Sequence, residues 1–155
     1  DRLSLPELCR HHGAYRHVAG GEARFCTAYA PDLAAGLLAC AEVPRAAGEV
    51  YIIGGDETPS WREFMDLLYE GVGLPPPRRS VPLGLAMTGA VAAEAWARVS
   101  GRPPLINCYR VALAGRDCVF SSGKAREQLG WKPATPLAEA MEQTIGWLKT
   151  YLDDL

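Results

Sequence analysis

Four groups of residues in this chain could carry chemistry. "SSGKAREQLGWKP", Ser121 to Pro133, holds a Gly-Lys pair behind two serines. A phosphate loop needs G-x-x-x-x-G-K-[ST], because its glycines let backbone N–H groups reach the phosphates and its hydroxyl holds magnesium. Here the first glycine position is Cys118 and the hydroxyl position is Ala125. Two of the four fixed positions fail. The stretch therefore reads as structure: Ser122 caps a short helix through Leu129, Gly130 ends it, Lys124 faces solvent and Trp131 packs.

The second group is Gly54-Gly55, between an apolar run and a helix. A dinucleotide turn opens its helix directly and carries a third glycine, and neither holds here. The third group is His11, His12 and His17, with Cys9 and Cys26 nearby. Cys9, His12, His17 and Cys26 match no zinc spacing, so no metal site is predicted. No G-x-S-x-G accompanies the histidines, and polar residues at a helix end is the plainer reading. The fourth group is Arg24, Arg110 and Arg116. A guanidinium fork suits phosphate and carboxylate, so these three are candidate substrate-binding residues. For each alone, a surface or salt-bridged role is the simpler one.

The 155 residues suffice for a sizeable core, and 48% are hydrophobic. Net charge is −2, with no block of like charge and no support for a nucleic-acid partner. Five cysteines, without a C-x-x-C, read as free thiols of a cytoplasmic protein. The longest uncharged run, Ser80 to Ala93, is too short for a span of about 20 residues, so no membrane helix is expected. The chain opens on Asp1, and a piece of something longer is the expectation drawn from that.

The elements that must position these residues follow from periodicity and punctuation. A helix is expected over 3–12, with Gly13 as its left-handed cap. "RFCTAY" (24–29) reads as a strand. Asp32 is an N-cap for a helix with Leu33, Leu37 and Leu38 on one face. "EVYII" (49–53) reads as a second strand, and its unbroken apolar run suits a sheet buried on both faces. Ser60 and Glu63 form a capping box before a helix with Trp61, Phe64, Met65, Leu68 and Val72 inward. Residues 81–99 read as an Ala-rich helix in close packing. A helical segment runs from Pro103-Pro104 to about Ala114, and 118–120 is a short strand. Pro136 opens a last helix with a seam of Leu137, Met141, Ile145, Leu148 and Leu152. Two strands joined by one helix suggest a βαβ crossover, yet two strands cannot form a stable covered sheet alone.

Taken in order, "YAPDLAAGLLACAE", "AAGEVYIIGGDETPSWREFMDLLYEGVGLPPP", "VPLGLAMTGAVAAEAWA" and "FSSGKAREQLGWKPATPLAEAMEQTIGWLKTYL" resemble the C-terminal half of extended short-chain dehydrogenases. These are NAD(P)-dependent epimerase/dehydratase and 3β-hydroxysteroid dehydrogenase-like enzymes. The likeness covers about residues 18–152 and leans toward the steroid-dehydrogenase and dihydroflavonol-reductase side. It implies an α/β fold: the C-terminal part of a Rossmann-type parallel sheet, as one βαβ unit, plus a mostly helical substrate lobe. Residues 1–55 would hold the last strands and helices of the Rossmann domain, and 56–155 the lobe.

The resemblance also implies what stands elsewhere. Such enzymes use a Tyr-x-x-x-Lys pair and a Gly-rich cofactor turn. The fourth residue after Tyr15, Tyr29, Tyr51, Tyr69, Tyr109 and Tyr151 is Ala19, Leu33, Gly55, Gly73, Leu113 and Leu155. None is lysine. The complete enzyme would use NAD or NADP; this chain alone is expected to bind none and to be inactive. In the nucleotide-sugar branch two arginines clasp a diphosphate, and Arg24 and Arg110 fall near those places. The expected role is the substrate-binding half of an oxidoreductase or epimerase acting on a secondary alcohol or ketone. Its partners would be that small molecule and a missing N-terminal half or partner chain. The rivals are a non-enzymatic module that covers its strand edges against a partner or in a homodimer, and an unrelated small helical binding protein.

Overall fold

A computed structural model describes residues 4–104 and 106–153, the last three by backbone alone. Leu3 and the side chain of Leu152 lie outside the described residues. The described chain is mixed α/β, mostly helical with a small parallel sheet. Helices are α1 (Ser4–Arg10), α2 (Ala30–Glu42), α3 (Trp61–Gly71), α4 (Leu83–Ser100), α5 (Cys108–Gly115), α6 (Gly123–Leu129) and α7 (Leu137–Asp153). The sheet pairs β1 (His17–Val18) with β2 (Ser80–Val81) in parallel, His17 opposite Ser80.

The main core joins α1, α3 and α7. Cys9, Met65, Leu68, Tyr69, Met141 and Leu148 are buried there, with Leu137 and Ile145 beside them. Met65, Leu68, Leu137, Met141, Ile145 and Leu148 are inward positions expected for α3 and α7, whereas Tyr69 joins the core without having been expected there; burial of such side chains stabilises by about 1.5–3 kcal/mol each. The start of the chain thus packs with the later helices. The capping box is present in full: the Ser60 hydroxyl accepts from Glu63 N–H at 3.1 Å, and the Glu63 carboxylate accepts from Ser60 N–H at 2.8 Å.

Several local expectations change. α1 stops at Arg10, and Gly13 sits inside a short 3-10 turn rather than in a left-handed cap. α5 starts at Cys108, not after the prolines, because the Asn107 side chain caps it through Arg110 N–H at 2.8 Å. Asp32 is not an N-cap. α2 starts at Ala30, and the Asp32 carboxylate reaches across to Ala134 and Thr135.

The expected strands are the largest departure. Residues 24–29 form no ladder. Arg24 makes one antiparallel bridge to Ser60, and Phe25 one parallel bridge to Cys118. Residues 49–53 pair with nothing among the described residues. Their side chains still alternate. Tyr51 and Ile53 pack on Ala46, Ala125, Leu129 and Trp131, whereas Val50 is 81% and Ile52 46% exposed. The run expected to be buried on both faces is covered on one. The Gly55 N–H donates to the Thr27 carbonyl at 2.7 Å, so the two segments flanking α2 do lie side by side. The Leu33, Leu37 and Leu38 face of α2 is also exposed.

β1 carries one titratable group that matters for stability. His17 is 1% exposed. Its Nε2 lies 3.1 Å from the Pro77 carbonyl, and its Nδ1 has no partner among the described residues. Gly21 makes room for the ring: with φ 76°, a Cβ there would lie 2.6 Å from Nδ1. Burial holds the His17 pKa below its ordinary value. The folded state therefore prefers neutral His17. That preference is fully present above the unfolded pKa of about 6.5 and is lost as pH falls through the lower folded value. Urea midpoints should drop between about pH 7 and pH 5, and His17→Gln should flatten that slope. An unchanged slope in the variant would show that other groups set it.

Candidate substrate cleft

The segments around residues 24–30 and 55–60 meet α3 and α7 over two adjoining hollows. The inner one is a cavity of about 340 Å³ lined by Phe25, Thr27, Tyr29, Phe64 and Met141, among others. The outer one is a wider cleft of about 690 Å³ that carries Arg24, Thr58, Glu63 and Asp66. Glu57 and Leu137 border both.

Each wall is fixed by a specific bond. The Glu57 carboxylate accepts from Leu137 N–H at 2.6 Å and so caps α7. Asp56 is ion-paired with Arg126 of α6. The Asp32 carboxylate accepts from Thr135 N–H at 3.1 Å and the Thr135 hydroxyl at 3.3 Å. Phe25 stacks on Trp61, ring centroids 4.2 Å apart, and meets Phe64 edge-on at 5.4 Å. The Tyr29 hydroxyl donates to the Gln143 side chain at 2.5 Å. The result is an apolar hollow whose carboxylates are already engaged.

Arg24 is brought to the outer cleft. Its guanidinium donates to the Thr58 carbonyl at 2.8 Å and lies 3.9 Å from the Glu63 carboxylate. Hydrogen bonds from Ser60, then the Arg24 charge, hold the Glu63 pKa below the usual carboxylate range. Arg24 N–H also donates to the Asp117 side chain at 2.9 Å, which sets Arg116 one residue from the Arg24 backbone contact. Arg110 and Arg116 are exposed, on α5 and at its end, and border neither hollow.

The other groups singled out by sequence are dispersed. Cys9 is in the core. The His12 ring faces the Cys9 carbonyl at 3.1 Å, His17 is buried against Pro77, and the Cys26 thiol bonds the Phe120 backbone. Burial pushes Tyr15 and Tyr69 up to about 12, far from the range of an acid/base group at neutral pH. Lys124 does not simply face solvent. It donates to Glu49 at 2.6 Å and to the Val50 carbonyl at 3.0 Å, and sits 4.8 Å from the Tyr51 ring centre.

The glycine turn can be tested for a dinucleotide directly. Gly54 N–H donates to the Ser122 hydroxyl at 3.1 Å, and Gly55 N–H to Thr27. A Cβ on Gly55 would meet the Thr27 carbonyl at 3.2 Å. Both N–H groups and the space beside them are used within the chain. The residues present do not fit a pyrophosphate at this turn.

No family model matches the chain. It is 35% identical over 117 residues, 73% of its length, to 3beta-hydroxysteroid-dehydrogenase/decarboxylase isoform 1 of Arabidopsis thaliana. It is 27% identical over 97% of its length to an uncharacterized protein, YbjS, of Escherichia coli. It spans 26% and 47% of those two relatives. Among solved structures, gox2253 superposes with a TM-score of 0.68 at 24% identity, over 95% of this chain and 43% of that one. UDP-glucuronic acid 4-epimerase from Bacillus cereus, in complex with NAD, gives 0.61 at 16% identity, over 96% and 40%. The chain belongs to the extended short-chain dehydrogenase/reductase family, with its epimerase/dehydratase and 3β-hydroxysteroid dehydrogenase-like members, and corresponds to its C-terminal part.

Sequence reasoning missed the inner cavity. Its lining comes from Phe25, Tyr29 and Glu57, which stand one by one in segments read only as a strand or a connection. The usable signal was Glu57, an acid just before a capping box.

Proposed function

We propose that the chain is the substrate-binding part of a cytoplasmic NAD(P)-dependent oxidoreductase or epimerase acting on a secondary alcohol or ketone. It would work with a Rossmann half, in the same polypeptide or a partner chain, that supplies the cofactor site and the Tyr-x-x-x-Lys pair. The observation that carries this reading is the extended run 49–53, half covered, with Val50 and Ile52 bare. A parallel sheet is stable only with both faces covered and neighbours on its edges. The bare leucines of α2, with Val119 and Phe120, form the rest of the surface such a half would cover.

The cofactor, when bound in that other half, supplies the hydride. This chain's own part is to shape the substrate site. The apolar cavity would exclude water and hold the body of the substrate, while Arg24 at the outer cleft would hold an anionic or polar end. Arg110 and Arg116 would take part only if the substrate extends along α5. Residues up to about 55 would continue the Rossmann domain through segment 24–55, with the lobe beyond. The supporting comparison is with relatives named as dehydrogenases and an epimerase. The test is NADH titration of the chain alone and beside a Rossmann half. A second reading, a non-enzymatic module that buries the same surface in a partner or a homodimer, rests on the same bare edge and is separated by that titration.

A further inference from the structure

β1 and β2 join two separately packed parts of the chain. The α4–α5 pair has a small core of its own, in which Ala86, Ala90 and Val111 are buried with Val18 of β1 and Val81 of β2 beside them. The α1–α3–α7 core shares none of these residues. Next to Val18, His17 lies against the start of α3: a Cβ on Gly21 would sit 2.6 Å from its Nδ1 and 3.2 Å from the Arg62 backbone nitrogen.

The bonds across this joint run through and around His17. Its backbone N–H donates to the Arg79 carbonyl at 3.0 Å, and its Nε2 donates to the Pro77 carbonyl at 3.1 Å. Gly20 N–H donates to the Ser80 hydroxyl at 2.8 Å. The Arg62 guanidinium of α3 donates to the Gly20 carbonyl. A further tie from α3 to the helix pair, the Trp61 indole N–H to the Leu113 carbonyl, is long at 3.3 Å.

We propose that the β1–β2 pair is an acid-sensitive joint: a proton on His17 opens it and frees α4–α5 as one unit, while α1, α3 and α7 stay packed. The ring is 1% exposed. With Nε2 donating to Pro77, a proton can add only at Nδ1, which has no partner among the described residues. A cation formed there is buried without a new hydrogen bond, which is costly. The charged groups around it offset one another. Arg62 opposes the new charge, and Asp66 and Glu22 favour it. Glu22 is paired with Arg62 at 3.3 Å, and Asp66 lies 3.8 Å from Arg78. Arg79 is exposed. Tyr15 meets the ring edge-on, centroids 5.4 Å apart, and stays uncharged because burial pushes its pKa up to about 12. Burial is the imbalance that remains, and it is relieved only if the ring leaves. The ring cannot leave while residues 77–80 stay bonded to β1, and their release carries β2 and the start of α4 with them. Opening of one part below the global unfolding limit is ordinary protein behaviour. The inference does not depend on the enzymatic reading.

The test is amide hydrogen exchange of the full chain between about pH 7 and about pH 5, corrected for the intrinsic pH dependence of exchange. Protection should fall several-fold at the His17, Gly20, Ala86 and Val111 amides as pH falls, and hold at the Phe64 and Val72 amides of α3 and its end. His17→Gln should remove this pH dependence. Asp66→Asn withdraws a carboxylate that favours the proton, and should move the loss of protection to lower pH. Circular dichroism checks that both variants fold, and Asp66→Asn decides alone if His17→Gln does not. Equal loss at both sets of amides overturns the proposal, because acid then unfolds the chain as a whole. So does a loss that His17→Gln leaves in place, or one that Asp66→Asn does not shift.

Discussion

Tyr69→Ala should lower the stability of the chain by about 3–5 kcal/mol, the range for truncating a buried aromatic. Tyr69 is fully buried where α1, α3 and α7 meet. Its ring touches the core from the middle helix, and its hydroxyl donates to the Leu8 carbonyl at 2.9 Å. One residue therefore ties the beginning of the chain to its later helices. Truncation leaves a ring-sized cavity and an unsatisfied carbonyl on α1. Tyr69→Phe separates the two effects. It keeps the packing and loses one hydrogen bond, worth about 1–2 kcal/mol with the stranded acceptor included. Urea unfolding measures both. Similar losses for the two variants would mean that the hydroxyl, not the ring, holds α1 in place.

Trp131→Ala should cost a similar about 3–5 kcal/mol, by a different route. Trp131 is buried among Ala46, Ala125, Leu129, Tyr51 and Ile53. Its indole N–H donates to the Asp32 carbonyl at 3.1 Å. Gly36 on α2 lies against it: a Cβ there would come within 3.3 Å of the indole and 2.6 Å of Ile53. Trp131 thus clamps α6, α2 and the run 49–53 into one unit. Its loss should loosen the Tyr51 and Ile53 face before it affects the α1–α3–α7 core. Amide hydrogen exchange in the variant should rise first in residues 49–55. A uniform rise along the chain would show that the two cores unfold as one.

How much was legible in the sequence depends on where each residue finds its partners. The capping box at Ser60 and Glu63, the seam of α7 and the stop at Gly130 are local, and local rules found them. Gly130 does end α6 in the left-handed conformation, φ 67°. Asp32 was misread because its position beside Pro31 fits an N-cap, whereas its carboxylate bonds residues about a hundred positions away. Ser122 stands at the expected N-cap position, yet its hydroxyl bonds Gly54 across the fold. The strand at 49–53 has the right residues and the right alternation. It lacks neighbours among the described residues, and strand identity is a property of pairs. The cavity was invisible because its walls meet only in three dimensions.

The most direct measurement of the central claim is NADH titration by fluorescence, first on this chain and then on an equimolar mixture with the Rossmann half of a related dehydrogenase. The chain alone should show no saturable binding, because Gly54 and Gly55 spend their N–H groups internally and no Tyr-x-x-x-Lys pair is present. The mixture should bind NADH and protect the amides of Val50 and Ile52 from exchange. Micromolar NADH binding by the chain alone would contradict the account, and so would a mixture in which the Val50 and Ile52 amides stay unprotected.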